Sequence, residues 1–229
     1  MRSTALFTAT LATVAILGCD RRNAEQTRPD SAVGTAGQAA RNQVTRGDRS
    51  FVHDMAIANL VETELAKLVP ERSEDQEVEK YAQLMVTDHS KSLETLRAIA
   101  SQYNVEMPTA LDGRHARQRD KLAKWHGTEF DRAYMDATVD AHEDALDELE
   151  PRVDEARLAE YKAEVADRLA NRKRIEQAEV IAILPEKSDN ALTMSLNQWA
   201  ATNYPMVRAH LEAARLLKEA VDKRRPSTN

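Results

Sequence analysis

The sequence predicts an all-α protein, and three observations lead to that prediction. Between Ser50 and Arg225 only two glycines occur, Gly113 and Gly127. Charged residues make up 31% of the chain and interleave with apolar residues at spacings of three and four, which is the period of a helix with one buried face. No segment keeps up the alternation with a period of two that is typical of a half-buried strand.

The first eighteen residues are predicted to be a signal peptide and not part of the fold. Residues 5–17, "ALFTATLATVAIL", form an apolar run that is short for a membrane span and typical of a signal peptide. The run ends in "ILGC", where the single cysteine of the chain, Cys19, resembles the lipid-attachment site of bacterial lipoproteins. We expect residues 1–18 to be a lipoprotein signal peptide and acylated Cys19 to bind the lipid bilayer. The alternative is an ordinary signal peptide followed by a chance cysteine.

These features predict an exported protein that is lipid-anchored to the cell envelope and faces the periplasm. Asp20 resembles the signal that keeps lipoproteins of enteric bacteria in the inner membrane, so it favours the inner over the outer membrane. Residues 19–48 hold no aromatic side chain and three of the six glycines, so they cannot bury enough apolar surface to fold. We interpret them as a disordered tether with an end-to-end distance of about 30 Å.

The remaining chain is predicted to form one helical domain, residues 49–225, with a tail at 226–229. The formal net charge of −6 and the pI near 5.6 argue against a nucleic-acid partner. A single cysteine also excludes an internal disulfide.

Prolines mark the ends of the first predicted helices. The first helix covers residues 49–68 and is closed by Pro70. The second covers residues 74–103, with Ser73 as its expected N-cap. A short helix at residues 113–125 is predicted to connect it to the next long helix.

The second half of the domain is predicted to contain three further helices. One covers residues 128–150, and a long, charged amphipathic helix follows at residues 152–184 and ends at Pro185. The last long helix covers residues 190–223 and is expected to bend at Pro205.

A shared pattern, V-x-x-H-x-x-x-[LA]-x-x-L, occurs in three of the predicted long helices. Its histidines are His89, His142 and His210. Counted from the helix ends, they lie at similar heights if the second and third long helices run parallel and the last runs against them. By the same count, the level of the first helix that faces His89 falls near His53 or Asp54. The pattern therefore predicts that three histidines converge inside a bundle.

Four stretches of the chain resemble a bacterial family, the domain of unknown function 4142. They are "FVHDMAIANLVETELAKL", "AQLMVTDHSKSLETLRAIA", "FDRAYMDATVDAHEDAL" and "WAATNYPMVRAHLEAARLL". The matching motif residues are Glu62, Glu64, Asp88, His89, Phe130, Asp131, Tyr134, His142, Pro205 and His210.

This resemblance covers residues 49–218 and implies an exported, ferritin-like four-helix bundle, often a lipoprotein. The expected fold is therefore such a bundle with a short crossover helix and an extra long helical insertion at residues 152–188. The insertion departs from the family because it is longer than the connection expected there. The family carries no established biochemical activity.

The residues around the three histidines bear on what metal they could bind. Di-iron bundles place a glutamate three residues before a metal-binding histidine, whereas here valine stands at all three positions, Val86, Val139 and Val207. A di-iron ferroxidase centre is thereby disfavoured. Three neutral imidazoles suit one transition-metal ion such as Zn, Cu or Fe. Further candidate ligands are Glu62, Glu64 and His53.

Two other interpretations of the histidines remain open at this point. Each histidine can fill the edge of the core and hydrogen-bond to Asp88, Asp140, Tyr134 or backbone, or it can act in acid–base catalysis. The sequence holds no phosphate-binding glycine loop and no nucleophile elbow, which favours a non-enzymatic protein.

Two functions are thus expected. The first is a membrane-tethered bundle with a binding or stress-related role, in which residues 152–188 bind a protein partner or a second copy. The alternative is a metal-binding bundle with a mononuclear three-histidine site.

Overall fold

The all-α prediction is confirmed over the residues that the structure describes. The structure is a computed structural model and describes residues 43–170 and 181–224. Its helices are α1 (Arg46–Ala66), α2 (Val69–Arg72), α3 (Gln76–Gln102), α4 (Gly113–Leu122), α5 (Gly127–Leu149), α6 (Glu155–Ala170) and α7 (Ala191–Asp222), with a 3-10 turn at Glu150–Arg152. The described residues contain no strand, only one isolated bridge between Val153 and Pro185. None of these helices is long and apolar enough to cross a membrane.

Several predictions concern residues outside the described ranges. They are the signal peptide at 1–18, the lipid attachment at Cys19, most of the tether at 19–48 and the tail at 226–229. Where the predicted tether reaches the described part, it already belongs to the fold. Thr45 caps α1 by accepting a hydrogen bond from the backbone N–H of Asp48 at 3.0 Å, and Asp48 is buried. The first helix therefore begins three residues before the predicted position.

The four long helices α1, α3, α5 and α7 pack into one helical bundle. α1 packs along α3, α5 packs along α7, and the two pairs meet through α3 with α7 and α1 with α5. Trp199 near the start of α7 donates to the backbone carbonyl of Ser92 in the second half of α3, while Tyr81 near the start of α3 donates to the carbonyl of His210. α3 and α7 are therefore antiparallel.

The direction of α5 follows from two contacts with α7. Tyr204 hydrogen-bonds Glu150 at the end of α5 at 3.0 Å, and Lys218 near the end of α7 pairs with Asp136 in the first half of α5. α5 therefore runs against α7 and parallel to α3. This is the arrangement under which the sequence predicts the histidines to meet at one height.

The apolar core consists of two clusters with a polar layer between them. The Phe51 core contains Phe51, Val52, Met55, Leu93, Leu96, Leu146, Leu149, Leu196, Trp199, Tyr204 and Val207, among others. The Phe130 core contains Val61, Leu65, Val69, Val78, Tyr81, Met85, Phe130, Tyr134, Met135 and Ala214, among others. On α3 and α5 the first cluster lies after the histidine and the second before it, and on α1 buried Asn59 and Glu62 lie near the same boundary. Full burial of each large apolar side chain stabilises the fold by roughly 1.5–3 kcal/mol, so the bundle has a strong frame on both sides of this layer.

The predicted N-cap of the second long helix is wrong. α3 begins at Gln76, and its cap is Asp75, whose carboxylate accepts from the N–H groups of Glu77 and Val78. Ser73 instead accepts from the N–H of Asp75 at 3.1 Å. Serine and aspartate both suit an N-cap, but here Ser73 and Glu74 belong to the turn that follows α2.

The prediction of one helix over residues 152–184 is also wrong in its last part. The structure describes α6 as far as Ala170, and residues 181–184, where the description resumes, are not helical. Asp154 donates its N–H to the carbonyl of Leu184 at 2.8 Å, and Glu186 donates to the carbonyl of Arg152 at 3.0 Å. The end of the segment therefore returns to pair with its beginning, and these long-range hydrogen bonds replace those of a helix.

The apolar stripe predicted for α6 is buried only in its first part. Leu158, Tyr161 and Val165 join the Phe51 core, and the ring of Tyr161 meets that of Tyr204 edge to face at 5.9 Å. Leu169, four residues after Val165, is 39% exposed. The continuation of the stripe at Ile175 and Ala178 lies outside the described residues.

Candidate metal centre

The three predicted histidines meet in the polar layer between the two apolar cores. His89 comes from α3, His142 from α5 and His210 from α7, and their exposed fractions are 5%, 1% and 4%. Their ring centroids lie 5.3, 5.4 and 5.5 Å apart. One ring nitrogen of each histidine lies within 4.8 Å of one ring nitrogen of each of the others. We call these three residues the histidine cluster.

Each histidine uses one ring nitrogen to bind an acceptor at the edge of the cluster. His89 Nδ1 lies 3.1 Å from Asn59 Oδ1 on α1. The amide nitrogen of Asn59 donates to the carbonyl of Met55 at 2.7 Å, so the oxygen of Asn59 is the atom that faces the ring. An acceptor at this position requires that Nδ1 of His89 carries the proton.

The other two histidines are oriented in the same way. His142 Nδ1 lies 2.8 Å from the backbone carbonyl of Thr138, one turn earlier on α5. His210 Nε2 lies 3.0 Å from Asp88 Oδ2 on α3. Carbonyl and carboxylate oxygens accept hydrogen bonds, so these two nitrogens also donate.

In the neutral form of each ring, the second nitrogen is then left with an unshared electron pair. These atoms, His89 Nε2, His142 Nε2 and His210 Nδ1, are all buried and make no hydrogen bond to any residue that the structure describes. A buried polar atom without a partner costs about 1–3 kcal/mol, and here three of them belong to one cluster. A metal ion removes that cost, because neutral imidazole nitrogens are metal ligands whose orientation is usually set by a hydrogen bond from the opposite nitrogen.

Comparison with known families gives one match. Residues 33–178 match the family described as domain of unknown function (DUF4142). The chain belongs to this family. The resemblance given by the four sequence stretches is thereby confirmed, although the match ends before α7. It includes His89 and His142, whereas His210 lies beyond it. Neither a curated protein nor a solved structure matches the chain.

Burial and mutual repulsion keep two histidines of this DUF4142 chain neutral. Burial lowers the pKa of His89 well below its usual value, and the neighbouring His142 and His210 lower it further. Burial, followed by His142, lowers the pKa of His210 to about 4, although Asp88 acts in the opposite direction. Both rings are therefore available to a metal ion at neutral pH without first losing a proton.

His142 differs because a carboxylate lies beside it. Burial alone would lower its pKa, but the nearby charge of Glu62 and the hydrogen bond to the carbonyl of Thr138 raise the pKa above its usual value. Glu62 is 2% exposed, and its Oε1 lies 3.2 Å from His142 Nδ1. This is the ring nitrogen that already donates to Thr138. Glu62 therefore lies behind His142, where its negative charge makes the imidazole a stronger electron donor.

The same carboxylate faces two buried tyrosines of the Phe130 core. Burial raises the pKa of Tyr81 and that of Tyr134 well above the usual range, and the charge of Glu62 raises both further. Both phenols therefore stay protonated. Both oxygens of Glu62 are buried without a hydrogen bond among the described residues, so the carboxylate needs positive charge nearby.

The structure does not bring the other two predicted ligands to the cluster. The side chain of Glu64 is 32% exposed and pairs with Lys67 at 2.7 Å. The side chain of His53 is 57% exposed and lies 2.9 Å from Asp54. The prediction that the level of His53 or Asp54 faces His89 is wrong, because Asn59 occupies that level. The prediction assumed that the ends of neighbouring helices lie at the same height along the bundle, whereas α3 is 27 residues long and α1 only 21.

Two partners of the cluster were not predicted from the sequence. Asn59 could have been recognised as a polar residue on the buried face of α1, four positions after Met55. The role of Thr138 rests on its backbone carbonyl, for which the sequence gives no signal. Of the predicted hydrogen-bond partners, Asp88 is confirmed, and so is a backbone partner, although the sequence did not indicate which one. Asp140 is exposed, and the hydroxyl of Tyr134 makes no hydrogen bond to any described residue.

Proposed function

We propose that this protein binds one divalent first-row transition-metal ion through His89, His142 and His210. The observation that supports this most directly is the set of three buried, unpaired ring nitrogens in one cluster. A histidine with a purely structural role requires only that its ring nitrogens have hydrogen-bond partners. Here each ring has one nitrogen with a hydrogen-bond partner and one without, and the three rings are neighbours with centroids 5.3–5.5 Å apart.

The donor set indicates the class of ion. Imidazole nitrogen suits Zn²⁺, Cu²⁺, Ni²⁺ and Fe²⁺, whereas Ca²⁺ and Mg²⁺ require oxygen ligands. A tetrahedral Zn²⁺ with bonds of about 2.1 Å holds its ligand nitrogens about 3.4 Å apart. The ring nitrogens of the cluster lie within 4.8 Å of one another, so they would have to move closer together to bind the ion.

A di-iron centre is not supported by this cluster. Two bridged metals require several carboxylates, and the metal-ligating group found among the described residues consists of histidines alone. The nearby carboxylate, Glu62, lies behind one ligand and serves it by charge. The site therefore suits a single ion.

The wider setting is proposed on the sequence and the helix packing. The paired antiparallel helices and the connection through α4 support a ferritin-like bundle. The signal peptide and the lipid-attachment pattern at Cys19 support a protein tethered to the envelope membrane and facing the periplasm. An exported metal-binding bundle would then bind or hold its ion outside the cytoplasm.

The proposed partner role of residues 152–188 has weaker support. The apolar side chains of α6, Leu158, Tyr161 and Val165, are already buried in the protein's own core. A partner would therefore bind the charged outer face of the segment. Deletion of residues 155–183 should then change the oligomeric state or the bound proteins, and an unchanged result would contradict this role.

Elemental analysis tests the proposed metal site. The protein is purified without a polyhistidine tag, incubated with Zn²⁺ and freed of excess metal, and the zinc content is measured. The wild type should hold about one ion per chain and the triple variant His89→Ala/His142→Ala/His210→Ala none.

The chain offers a matched control, because its other three histidines lie outside the cluster. The variant His53→Ala/His115→Ala/His126→Ala removes the same number of imidazoles and should bind zinc like the wild type. Equal zinc in the wild type and the cluster variant would overturn the proposal.

A further inference from the structure

An open groove runs along the outer surface between α1, α4 and α5 and has a volume of about 820 Å³. Its floor is apolar and includes the small side chains of Ala58, Ala137 and Ala141, which are only partly buried. Exposed apolar surface with a polar rim marks places where proteins bind other molecules. The floor of this groove therefore indicates an occupant that brings side chains of its own.

The rim of the groove is acidic. Asp140, Asp144 and Asp147 line it from α5, and their spacings of four and three residues place them on one face of that helix. All three are exposed, and none forms an ion pair with a residue that the structure describes. Asp54 on α1 adds a fourth carboxylate, and Arg114 is the one Arg or Lys side chain among the described residues that line the groove. We call this surface the acidic groove.

A basic surface lies beside the acidic groove, on the outer face of α4. It consists of Arg117, Lys121 and Lys124, which are all exposed, Lys124 lying two residues after the end of the helix. None of them lines the groove, and none forms an ion pair with a described residue. Their spacings are again four and three residues, so these cations and the three aspartates of α5 each extend over about 10 Å. We call these three residues the basic face.

The position of α4 makes the two surfaces suited to a second copy of the chain. A two-fold symmetric dimer requires that one patch carry both complementary halves of the interface. Here α4 forms one wall of the acidic groove through Arg114, His115 and Gln118 and carries the basic face on its outer side. Both halves of such an interface therefore lie next to each other on every chain.

We propose that two copies of this chain associate with the basic face of each against the acidic groove of the other. This association goes beyond the proposed metal binding and needs no metal ion. The ammonium and guanidinium groups of one copy pair with the aspartates of the other, and their aliphatic stems cover the alanine floor. Charges that have no partner among the described residues of one chain thereby gain one in the dimer. Complementary charge also determines which faces meet and in which orientation.

Analytical ultracentrifugation of the metal-free protein tests the association. Sedimentation equilibrium should give the mass of a dimer in about 0.1 M salt. Raising the salt to about 1 M, which shortens the Debye length from about 10 to about 3 Å, should raise the dissociation constant at least about tenfold. EDTA in the buffer keeps free metal ions from linking copies through their exposed histidines. The salt dependence of the wild type tests the inference even without variants.

Charge reversal identifies the two surfaces. The groove variant Asp144→Lys/Asp147→Lys and the basic-face variant Arg117→Glu/Lys121→Glu should each be monomeric, because like charges then face each other. An equimolar mixture of the two variants should form a mixed dimer, because both of its contacts again join opposite charges. This rescue distinguishes a direct contact between the two surfaces from a general effect of net charge.

The matched control is Glu94→Lys/Glu106→Lys. It changes the net charge as much as the groove variant does, at two exposed residues that do not line the groove. It should dimerise like the wild type. Zinc content, measured separately, should stay at about one ion per chain in every variant, so a failure of the dimer and a failure of the metal site are told apart.

Three results would overturn the inference. They are a wild type that stays monomeric in about 0.1 M salt up to about 100 μM chain, a dimer that either variant leaves intact, and a mixture of the two variants that stays monomeric. If the acidic groove instead binds a basic segment of its own chain or of another protein, the wild type gives the first of these results.

Discussion

Two buried polar clusters in this bundle differ in one decisive respect. At one end of the bundle, Asp48 is 1% exposed and both oxygens of its carboxylate accept hydrogen bonds. Arg152 donates to its Oδ1 at 2.8 Å, and the hydroxyls of Thr193 and Thr45 donate to Oδ2 at 2.9 and 2.7 Å. Burial would raise the pKa of Asp48, but these three hydrogen bonds lower it overall.

The histidine cluster is as deeply buried, yet each of its rings keeps one nitrogen without a partner. A fully paired cluster joins elements of the fold, as Asp48 joins the start of α1 to Arg152 and to α7. A cluster in which several buried nitrogens lack a partner destabilises the fold unless a ligand binds them. Burial alone therefore does not distinguish a structural polar cluster from a functional one. The difference is whether the buried polar atoms have hydrogen-bond partners.

The largest expected effect comes from breaking the paired cluster. Asp48→Ala leaves Arg152 without its partner in a mostly buried position, and loss of one member of such a pair costs about 3 kcal/mol. The free energy of unfolding, measured by urea denaturation of the metal-free protein, should fall by that amount. Zinc content should stay near one ion per chain. A loss of stability under about 1 kcal/mol, the size typical of an exposed pair, would contradict this assignment.

A somewhat smaller effect is expected from pH. His210 has a pKa of about 4 in the folded protein and about 6.5 when unfolded, so the unfolded chain binds more protons between these values. Stability of the metal-free protein should therefore fall as pH falls from 6.5 to 4, by up to about 3 kcal/mol from this residue. Burial disfavours the charged form of His210 most, His142 repels it, and Asp88 favours it.

Urea denaturation across this pH range measures the effect, with His210→Gln as the control. Its stability should depend less steeply on pH than that of the wild type. Parallel curves for the two proteins would show that His210 is not held neutral by its surroundings.

A third effect concerns the acceptors that orient the rings. Asp88→Ala removes the acceptor from His210 Nε2 and should weaken zinc binding by about 10- to 100-fold, the usual cost of losing such a partner. A competition titration with a chromophoric chelator measures it. Asp136→Ala, which removes an exposed carboxylate that pairs with Lys218, is the matched control and should leave zinc affinity unchanged. Equal affinities in the two variants would argue that Asp88 does not act through His210.

The smallest effect is expected at an exposed pair between α5 and α7. Arg215 contacts Glu143 at 2.7 Å, with side chains 44% and 48% exposed. Glu143→Ala should change the free energy of unfolding by less than about 1 kcal/mol and leave metal binding as it was. A change as large as that of Asp48→Ala would contradict this account, because the exposed pair would then stabilise the fold as much as the buried pair of Asp48 and Arg152.

The sequence predicted the parts of this molecule that depend on local spacing. The long helices were located to within a few residues, because their apolar stripes and proline boundaries are local signals. The convergence of His89, His142 and His210 was predicted because one pattern recurs in three helices. It places each histidine on an inward face.

What the sequence did not predict depends on contacts between distant residues. Asn59 faces His89 because of the way α1 is set against the longer α3, and no local pattern records that offset. The return of residues 181–186 to Arg152 depends on backbone hydrogen bonds between segments far apart in sequence, whereas the local pattern predicted one helix through residue 184. Hydrogen bonding and metal binding were also treated as alternatives for these histidines. Each ring has two nitrogens, so one ring can do both.

A crystal structure of the zinc-loaded protein, with anomalous data at the zinc absorption edge, tests the central claim most directly. The account predicts one strong peak between α3, α5 and α7, about 2.0–2.1 Å from His89 Nε2, His142 Nε2 and His210 Nδ1. The outer nitrogens should remain bonded to Asn59, Thr138 and Asp88. Zinc bound only on the acidic outer surface, or a cluster without a peak at full zinc occupancy in solution, would contradict it.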